Sequence, residues 1–287
     1  MSSRTSPWIE SVADAKRYPM LEKNVAADVV VIGGGLCGVM TAWRLAKAGQ
    51  GVVILVKNHI GTGDTGLTTG FLTRVPDVSI AVIQKEYGKD FVGKLFAATQ
   101  AAQENIFGIL KDEKLACDFT NCHAYYGSYV RGDETLKKEL LALQSGGIGV
   151  NEVREKSDRI PFVEAVQFAE EGKWNVRKFL FALLQTEIGK KIQVFEETEA
   201  TELIVAERVA VKTATGAAVG KKVVVAIGNP AALMGETRDL VSEKITYVMA
   251  ARFVRAPAGG DVYWDTGDPY FYYRMIDDRT LIVGGCD

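Results

Sequence analysis

The feature that most constrains this chain is a strand–glycine–helix–strand pattern between Asp28 and Val56. Apolar residues over 28–32 end in a cluster of glycines, and apolar residues then recur at helical spacing as far as Gly49. A second run, rich in β-branched residues, follows at 52–56. This order predicts a βαβ unit, in which a helix connects two parallel strands.

The glycines of the turn have the spacing of a dinucleotide-binding fingerprint. Gly33 permits a sharp turn out of the strand, Gly35 lets a pyrophosphate approach the backbone, and Gly38 lets the helix pack close to the strand. The N–H groups of Leu36 and Cys37 would face that pyrophosphate at the positive end of the helix dipole. A glycine-rich turn without a ligand is the alternative, but the flanking strands and helix favour the dinucleotide site.

The second strand lacks the acid that usually binds a ribose hydroxyl about 20 residues beyond the glycines. Val56 occupies this place and cannot accept a hydrogen bond. Either Asn58 or the backbone substitutes for the acid, or the affinity for a dinucleotide is reduced. Lys57 is a further candidate for a cofactor contact, because its charge could favour the 2′-phosphate of NADP.

Residues 59–72 form a loop rich in glycine and threonine that leaves the end of the second strand. Sheets of α/β proteins bind ligands at the carboxyl ends of their strands. We therefore expect backbone and hydroxyl groups of this loop to contact a flat, polar ligand. A flexible connector with threonine-type turns is the alternative.

Composition indicates an ordinary globular protein. The net charge is −2, so neither nucleic acid nor an anionic membrane is an expected partner. No apolar run approaches the length of a membrane span, and residues 1–24 lack the apolar core of a secretory signal. The four cysteines are scattered and the two histidines do not complete a zinc set, so we expect no metal and a reducing cytoplasm.

Farther along the chain, apolar patterning predicts helices over 77–114, 133–143 and 176–188. Strands are predicted over 117–119, 124–130, 192–195, 199–206, 208–214, 223–227, 245–253, 261–264, 270–275 and 280–284. The alternation over 245–253 predicts a half-buried strand. The chain stops directly after a strand, and we expect a C-terminal segment to be missing.

Four stretches resemble the D-amino-acid-oxidase-like (DAO) family of FAD-dependent oxidoreductases. Residues 28–38 resemble its dinucleotide fingerprint, 60–69 its flavin-contacting loop, 223–230 the strand that closes its FAD fold, and 272–285 the hairpin of its substrate sheet. The N-terminal arm, with Trp8, is most similar to the branch related to glycine and D-amino acid oxidases that includes members with a C-terminal Rieske domain. The sequence itself contains no Rieske ligand set.

The resemblance implies an α/β fold: a Rossmann-like FAD-binding domain of the GR2 flavoprotein type, with a substrate domain built on an antiparallel sheet. The FAD-binding domain would comprise residues 27–75 and 173–234. The substrate domain would comprise residues 76–172 and 235–287 and would be incomplete at its C-terminus, and residues 1–26 would form an N-terminal arm.

The resemblance also implies the residues of the site. The glycines of the turn and the adjoining N–H groups would hold the FAD pyrophosphate, with Gly228 passing close to it. Thr65 and residues 68–71 would lie along the ribityl chain and isoalloxazine, and Ala200 would lie near the adenine. The expected cofactor contacts are Gly33, Gly35, Leu36, Cys37, Gly38, Lys57, Thr65, Thr68, Thr69, Gly70, Phe71, Ala200 and Gly228. Tyr247 and Arg274 are the candidates to face substrate, although core packing of Tyr247 and a structural salt bridge of Arg274 are alternatives.

The implied chemistry is oxidation of a C–N bond of an amine or amino acid, with hydride transfer to flavin N5. An electron acceptor or a partner subunit would complete the reaction. Two other hypotheses stay open. Val56 and the abrupt end favour a non-catalytic truncated relative or one subunit of a heteromeric oxidase. An NAD(P)-linked dehydrogenase is the third hypothesis, and the loop over 63–70 argues against it.

Overall fold

The chain folds into two compact units. The computed structural model describes residues 6–230, 233–234, 246–255 and 259–286. The first unit comprises Met1–Thr68, Leu110–Asp118 and Asn175–Glu243. The second comprises Thr69–Ile109, Phe119–Trp174 and Lys244–Asp287. The predicted division into FAD-binding and substrate domains stays a prediction.

The helices of the described residues are α1 (Pro7–Glu10), α2 (Leu36–Lys47), α3 (Ile80–Tyr87), α4 (Lys89–Asp112), α5 (Glu134–Ser145) and α6 (Val176–Gln185). The strands are β1 (Val25–Ala26), β2 (Val29–Ile32), β3 (Val52–Leu55), β4 (Phe71–Leu72), β5 (Thr120–Ser128), β6 (Asn151–Val153), β7 (Glu164–Lys173), β8 (Gln193–Phe195), β9 (Glu202–Val205), β10 (Val209–Lys212), β11 (Ala217–Gly220), β12 (Lys222–Val225), β13 (Tyr247–Arg252), β14 (Val262–Asp265), β15 (Phe271–Met275) and β16 (Thr280–Gly285).

A parallel sheet with strand order β12-β2-β3-β8 forms the centre of the first unit. Every residue of β2 and β3 is buried, as expected for strands of a parallel sheet covered on both faces. Helix α2 connects β2 to β3, so the predicted βαβ unit is confirmed. A second sheet, of order β1-β11-β10-β9, contributes Val211 and Ala218 to the same apolar core as Val30 and Val53.

A larger sheet with strand order β13-β16-β15-β14-β5-β7-β4 forms the second unit, and β6 pairs with β7. Apart from the parallel pair β14–β5, its pairings are antiparallel. Helices α3, α4 and α5 supply Ile80, Phe96 and Leu143 to a core that also contains Phe168 and Val262 from the sheet. The α/β class with an added antiparallel sheet, predicted from the sequence, is therefore confirmed.

Several predicted elements differ in the structure. The helix predicted over 77–114 is two helices, because Gly88 adopts a φ of +86° and ends α3. The strand predicted over 117–119 is absent, because Asp118 has a φ of +52° and β5 begins only at Thr120. Strand β7 has no counterpart in the predictions, although it pairs with three other strands.

Strand β13 contradicts the expected half-buried pattern, because five of its six residues are exposed. Among the described residues it pairs only with β16, so it forms an edge of the sheet. The predicted start of this strand, Ile245, lies outside the described residues. Within the described ranges, no helix is both long and apolar enough to cross a membrane.

Candidate functional site

The turn between β2 and α2 is built so tightly that only glycine fits at two of its positions. Gly33 has a φ of +119°, and a Cβ atom there would lie 2.1 Å from the carbonyl oxygen of Ala226. A Cβ atom on Gly38 would lie 2.0 Å from the carbonyl oxygen of Gly33. Both glycines thus do what the fingerprint predicts: one allows the turn and the other lets the helix pack against it.

The amino-terminal end of α2 has no side-chain cap. Gly35 is the N-cap residue, and the side chain of Cys37 in the first turn is exposed. The N–H group of Leu36 donates a 3.0 Å hydrogen bond to Oγ1 of Thr65, which lies beside Gly35. A helix end that has no cap from its own N-cap residue and no acid in its first turn attracts an anion.

Val56 lies at the end of β3 with only 5% of its surface exposed. Its methyl groups are 2.8 Å from the position that a Cβ atom on Gly34 would occupy, so it packs against the glycine turn. The next residue, Lys57, forms an exposed ion pair of 2.7 Å with Glu199. The backbone oxygen of Asn58 accepts a hydrogen bond from the N–H of Glu197, so its carbonyl is already used.

A pocket of about 390 Å³ opens beside this ion pair. Polar side chains on its lining include Lys57, His59, Glu199 and Thr201. Ala200, the predicted adenine neighbour, is half-buried against the core of β2, β3 and β12. The pocket therefore lies where β3 and the segment after β8 end, at the carboxyl edge of the parallel sheet.

Residues 60–68 form the loop that brings Thr65 to α2. The N–H of Gly61 donates to the carbonyl oxygen of Gly34 at 2.9 Å, which fixes the start of the loop to the glycine turn. A 3-10 turn over Asp64–Leu67 follows. Its first residue directs a carboxylate oxygen toward Gly228, whereas Thr68 at the end of the loop is exposed.

The remaining predicted residues belong to the second unit. Gly70 has a φ of +67°, and its carbonyl oxygen accepts hydrogen bonds from the N–H of Trp174 and from Nη1 of Arg274. Phe71 begins β4 and meets the ring of Tyr272 edge-on, with 6.4 Å between ring centroids. Thr69 precedes them as a half-buried residue.

The two candidates to face substrate have opposite environments. Arg274 is 3% exposed and donates from Nη1 to Gly70 at 2.7 Å and from Nη2 to the carbonyl oxygen of Trp174 at 3.0 Å. Burial lowers its pKa, yet an arginine stays charged at neutral pH. Tyr247 lies on the edge strand β13 and is 81% exposed, so the alternative that it packs in the core is wrong.

Sequence reasoning missed several charged residues that shape the two units. In the first unit, the buried side chains of Arg177 and Glu196 bind the loop that contains Thr65. In the second unit, Lys173 donates a hydrogen bond to the carbonyl oxygen of Gly260, and burial lowers the pKa of this lysine. No motif marks these residues. The only signal was a charged residue within an apolar helix or directly after a buried strand.

Across the described residues, no group of three histidine, cysteine, aspartate or glutamate side chains could hold a metal ion. By contrast, the first unit fits a dinucleotide. Its uncapped helix end and the backbone contacts that exclude a Cβ atom at Gly33 and Gly38 are features that a pyrophosphate site requires. FAD therefore fits the residues present.

Two curated proteins are similar to this chain over part of its length. The putative Rieske 2Fe-2S iron-sulfur protein YhfW of Bacillus subtilis strain 168 is 25% identical over 213 residues, covering 74% of this chain and 42% of the relative. The gamma-glutamylputrescine oxidoreductase of Escherichia coli K12 is 34% identical over 122 residues, covering 42% of this chain and 28% of that enzyme. The chain thus matches less than half the length of either relative.

The solved structure of NikD, an amino acid oxidase of nikkomycin biosynthesis, superposes with a TM-score of 0.66 at 17% identity, covering 91% of this chain and 70% of NikD. At this identity the likeness concerns the fold alone. The profile of one protein family, described as FAD dependent oxidoreductase, matches residues 28–287. The chain therefore belongs to the DAO family of FAD-dependent oxidoreductases.

Proposed function

We propose that the first unit of this chain binds FAD and that the protein oxidises a C–N bond of an amine or amino acid. The observation that carries the proposal is the end of α2, whose N-cap Gly35 offers no side chain, above a turn in which Gly33 and Gly38 leave no room for a side chain. Free N–H groups at a helix start bind a diphosphate without any charged side chain.

The residues around the turn have separate tasks in this proposal. Cys37 and Leu36 lie at the helix end that faces the diphosphate. Oγ1 of Thr65 accepts a hydrogen bond from the N–H of Leu36, and its hydroxyl hydrogen can be donated to a phosphate oxygen. Lys57 and Glu199 border the pocket at the adenosine end. Val56 supplies only apolar contact, so the ribose must find its acceptor elsewhere.

Bound FAD would supply the hydride acceptor, flavin N5, for oxidation of the substrate C–N bond. Two of the proteins compared act on substrates of this class by name, one being an amino acid oxidase and the other a gamma-glutamylputrescine oxidoreductase. Their names support an amine or amino acid as substrate here.

Charge at α2 gives a sharp test of the cofactor proposal. Cys37→Asp places a carboxylate at the helix end, where it favours the helix but repels a diphosphate. We expect FAD affinity to fall at least about tenfold, equivalent to about 1.4 kcal/mol, in a titration followed by flavin and tryptophan fluorescence. The melting temperature should be unchanged or higher, and the matched control Cys37→Ser should bind FAD as the original chain does.

Equal binding by Cys37→Asp and Cys37→Ser would contradict the proposed site. A parallel titration with NADPH addresses the alternative raised by Lys57, and tighter binding of NADPH than of FAD would replace the flavin proposal. Anaerobic addition of a panel of amino acids and primary amines to the FAD-loaded protein then tests the reaction. Bleaching of the flavin absorbance is the expected result.

Two observations favour the non-catalytic hypothesis. The side chain of Val56 cannot accept a hydrogen bond from a ribose, and Asp64 directs a carboxylate toward Gly228. If the chain is a non-catalytic relative or one subunit of a heteromeric oxidase, FAD would bind weakly or the flavin would stay oxidised with every amine tested. Bleaching by one substrate class would exclude that hypothesis.

A further inference from the structure

Residues 6–21, which lie within the predicted N-terminal arm, are hydrogen-bonded to the loop of residues 60–68. We call residues 6–21 the arm. Trp8 is 4% exposed, and its Nε1 donates a 2.5 Å hydrogen bond to the carbonyl oxygen of Thr68. The hydroxyl of Ser6 donates to the carbonyl oxygen of Gly66. The arm thus supplies two donors to backbone acceptors at the far end of the loop.

A buried arginine joins the arm to the near end of the same loop. Arg177, on α6, is 2% exposed. Its Nε donates to the carbonyl oxygen of Ile60 at 3.0 Å, and its Nη1 donates to the carbonyl oxygen of Ile9 at 2.9 Å. One guanidinium therefore fixes both segments. Burial, together with the nearby charge of Arg17, lowers the pKa of Arg177.

A buried glutamate also joins the arm to the loop, through hydrogen bonds to both segments. Glu196, directly after β8, accepts hydrogen bonds from the N–H of Tyr18 at 3.0 Å and from the N–H of Ile60 at 2.7 Å. Ile60 is thus held at its N–H by one buried charged group and at its carbonyl by another. Each of those groups also binds the arm, so arm and loop form one hydrogen-bonded unit.

The loop passes this constraint to the cofactor site. The N–H of Gly61, the second residue of the loop, donates a hydrogen bond to the carbonyl oxygen of Gly34 in the glycine turn. Oγ1 of Thr65 accepts a hydrogen bond from the N–H of Leu36. A shift of the loop would therefore change the hydrogen-bonding groups that the amino-terminal end of α2 offers to a ligand. Site residues held by a supporting shell lose their geometry when that shell is loosened.

We propose that Ser6 and Trp8 are positioning residues of the FAD site, which hold the loop in the conformation that sets Thr65 on the end of α2. Neither side chain needs to touch the cofactor, since both act on carbonyl groups of the loop. The inference rests on the proposed binding of FAD, but its structural half can be measured without any cofactor.

Hydrogen exchange tests the structural half. In the full chain without FAD, Trp8→Phe keeps the aromatic ring and removes the N–H donor. We expect amides of residues 61–68 to exchange at least fivefold faster, measured by mass spectrometry, because local opening becomes easier. Trp43→Phe is the matched control: Trp43 is also buried, but its Nε1 donates to Thr186. Unchanged exchange over 61–68 in Trp8→Phe would overturn the proposal.

FAD titration tests the functional half. Trp8→Phe and Ser6→Ala should each weaken FAD binding about fivefold, whereas Trp43→Phe should lower the melting temperature without changing affinity beyond twofold. Ser6→Thr, which keeps the hydroxyl, should bind FAD with the affinity of the original chain. If Trp8→Phe and Ser6→Ala both bind FAD as tightly as the original chain, the arm has no positioning role. If the original chain itself binds no FAD while exchange still quickens, the proposed function fails and the coupling of arm to loop stands.

Discussion

Oδ2 of Asp64 lies 2.7 Å from the position that a Cβ atom would occupy on Gly228. This puts a carboxylate beside the backbone that the family resemblance assigns to the pyrophosphate side. Like charges repel, and the repulsion is screened by salt. We therefore expect Asp64 to oppose binding of a diphosphate at this position.

Replacing this carboxylate should tighten binding. For Asp64→Asn we expect FAD affinity to rise about threefold to tenfold at low ionic strength, and the gain to shrink toward roughly 1 M salt. A fluorescence titration at two salt concentrations measures both effects. The control Asp278→Asn changes an exposed acid of the second unit. An unchanged affinity for Asp64→Asn at low salt would place Asp64 outside the reach of the diphosphate.

The reactivity of Cys37 can show whether a ligand covers the amino-terminal end of α2. Cys37 is exposed, as is Cys286, whereas Cys117 and Cys122 are buried, and burial raises the pKa of Cys122 to about 12. We expect iodoacetamide to alkylate Cys37 and Cys286 first, because access and thiolate fraction control the rate. Bound FAD should slow alkylation of Cys37 at least fivefold and leave Cys286 unaffected. Equal slowing of both, seen by peptide mass spectrometry, would point to a general effect rather than coverage of the helix end.

Arg274 is expected to stabilise the second unit. Arg274→Met leaves the carbonyl oxygens of Gly70 and Trp174 without this donor, which should lower the free energy of unfolding by about 3 kcal/mol. Urea unfolding measures the loss, and Arg279→Met, at an exposed arginine, is the control. A variant with normal stability but a much higher KM for an amino acid would instead favour the substrate-facing role predicted from the sequence.

Asp133 should make stability depend on pH. Partial burial alone would raise its pKa, but hydrogen bonds from Ser128, Thr266 and the N–H groups at the start of α5 outweigh burial and lower it. A lowered pKa in the folded state stabilises the fold above the unfolded-state value, near 3.9, and that contribution is lost as the pH falls through the folded-state pKa. Asp133→Ala should cost about 1–2 kcal/mol at neutral pH.

The difference in unfolding free energy between the original chain and Asp133→Asn should therefore shrink below about pH 4. Urea unfolding at a series of pH values measures this difference. A constant difference across the series would show that the charge of Asp133 does not contribute and that hydrogen bonding alone explains its role.

Local patterns were enough to predict the βαβ unit and the glycine turn. The strand, turn and helix signals between Val29 and Leu55 are contiguous, so nothing distant was needed to interpret them. The break at Gly88 was missed because a glycine within an apolar-periodic stretch is tolerated in helices, and only its φ shows that it ends one.

Strand β7 and the buried charges could not be predicted in the same way. Three glutamates interrupt β7, and its partners β4, β5 and β6 come from separate parts of the chain. The hydrogen bond from Arg177 to Ile60 spans 117 residues, and that from Ile60 to Glu196 spans 136. Contacts at such separations follow from the tertiary fold, and composition or spacing gives no sign of them.

The exposed edge at β13 has a practical consequence for every solution measurement. Its side chains Tyr247 and Met249 are largely open to solvent, and Val248 is partly open. On the side away from β16 no other described strand hydrogen-bonds to its backbone. Long apolar edges of this kind recruit further strands from neighbouring molecules and promote aggregation. Titrations and melting curves therefore belong at low protein concentration, and a lysine in place of Val248 would give a better-behaved sample.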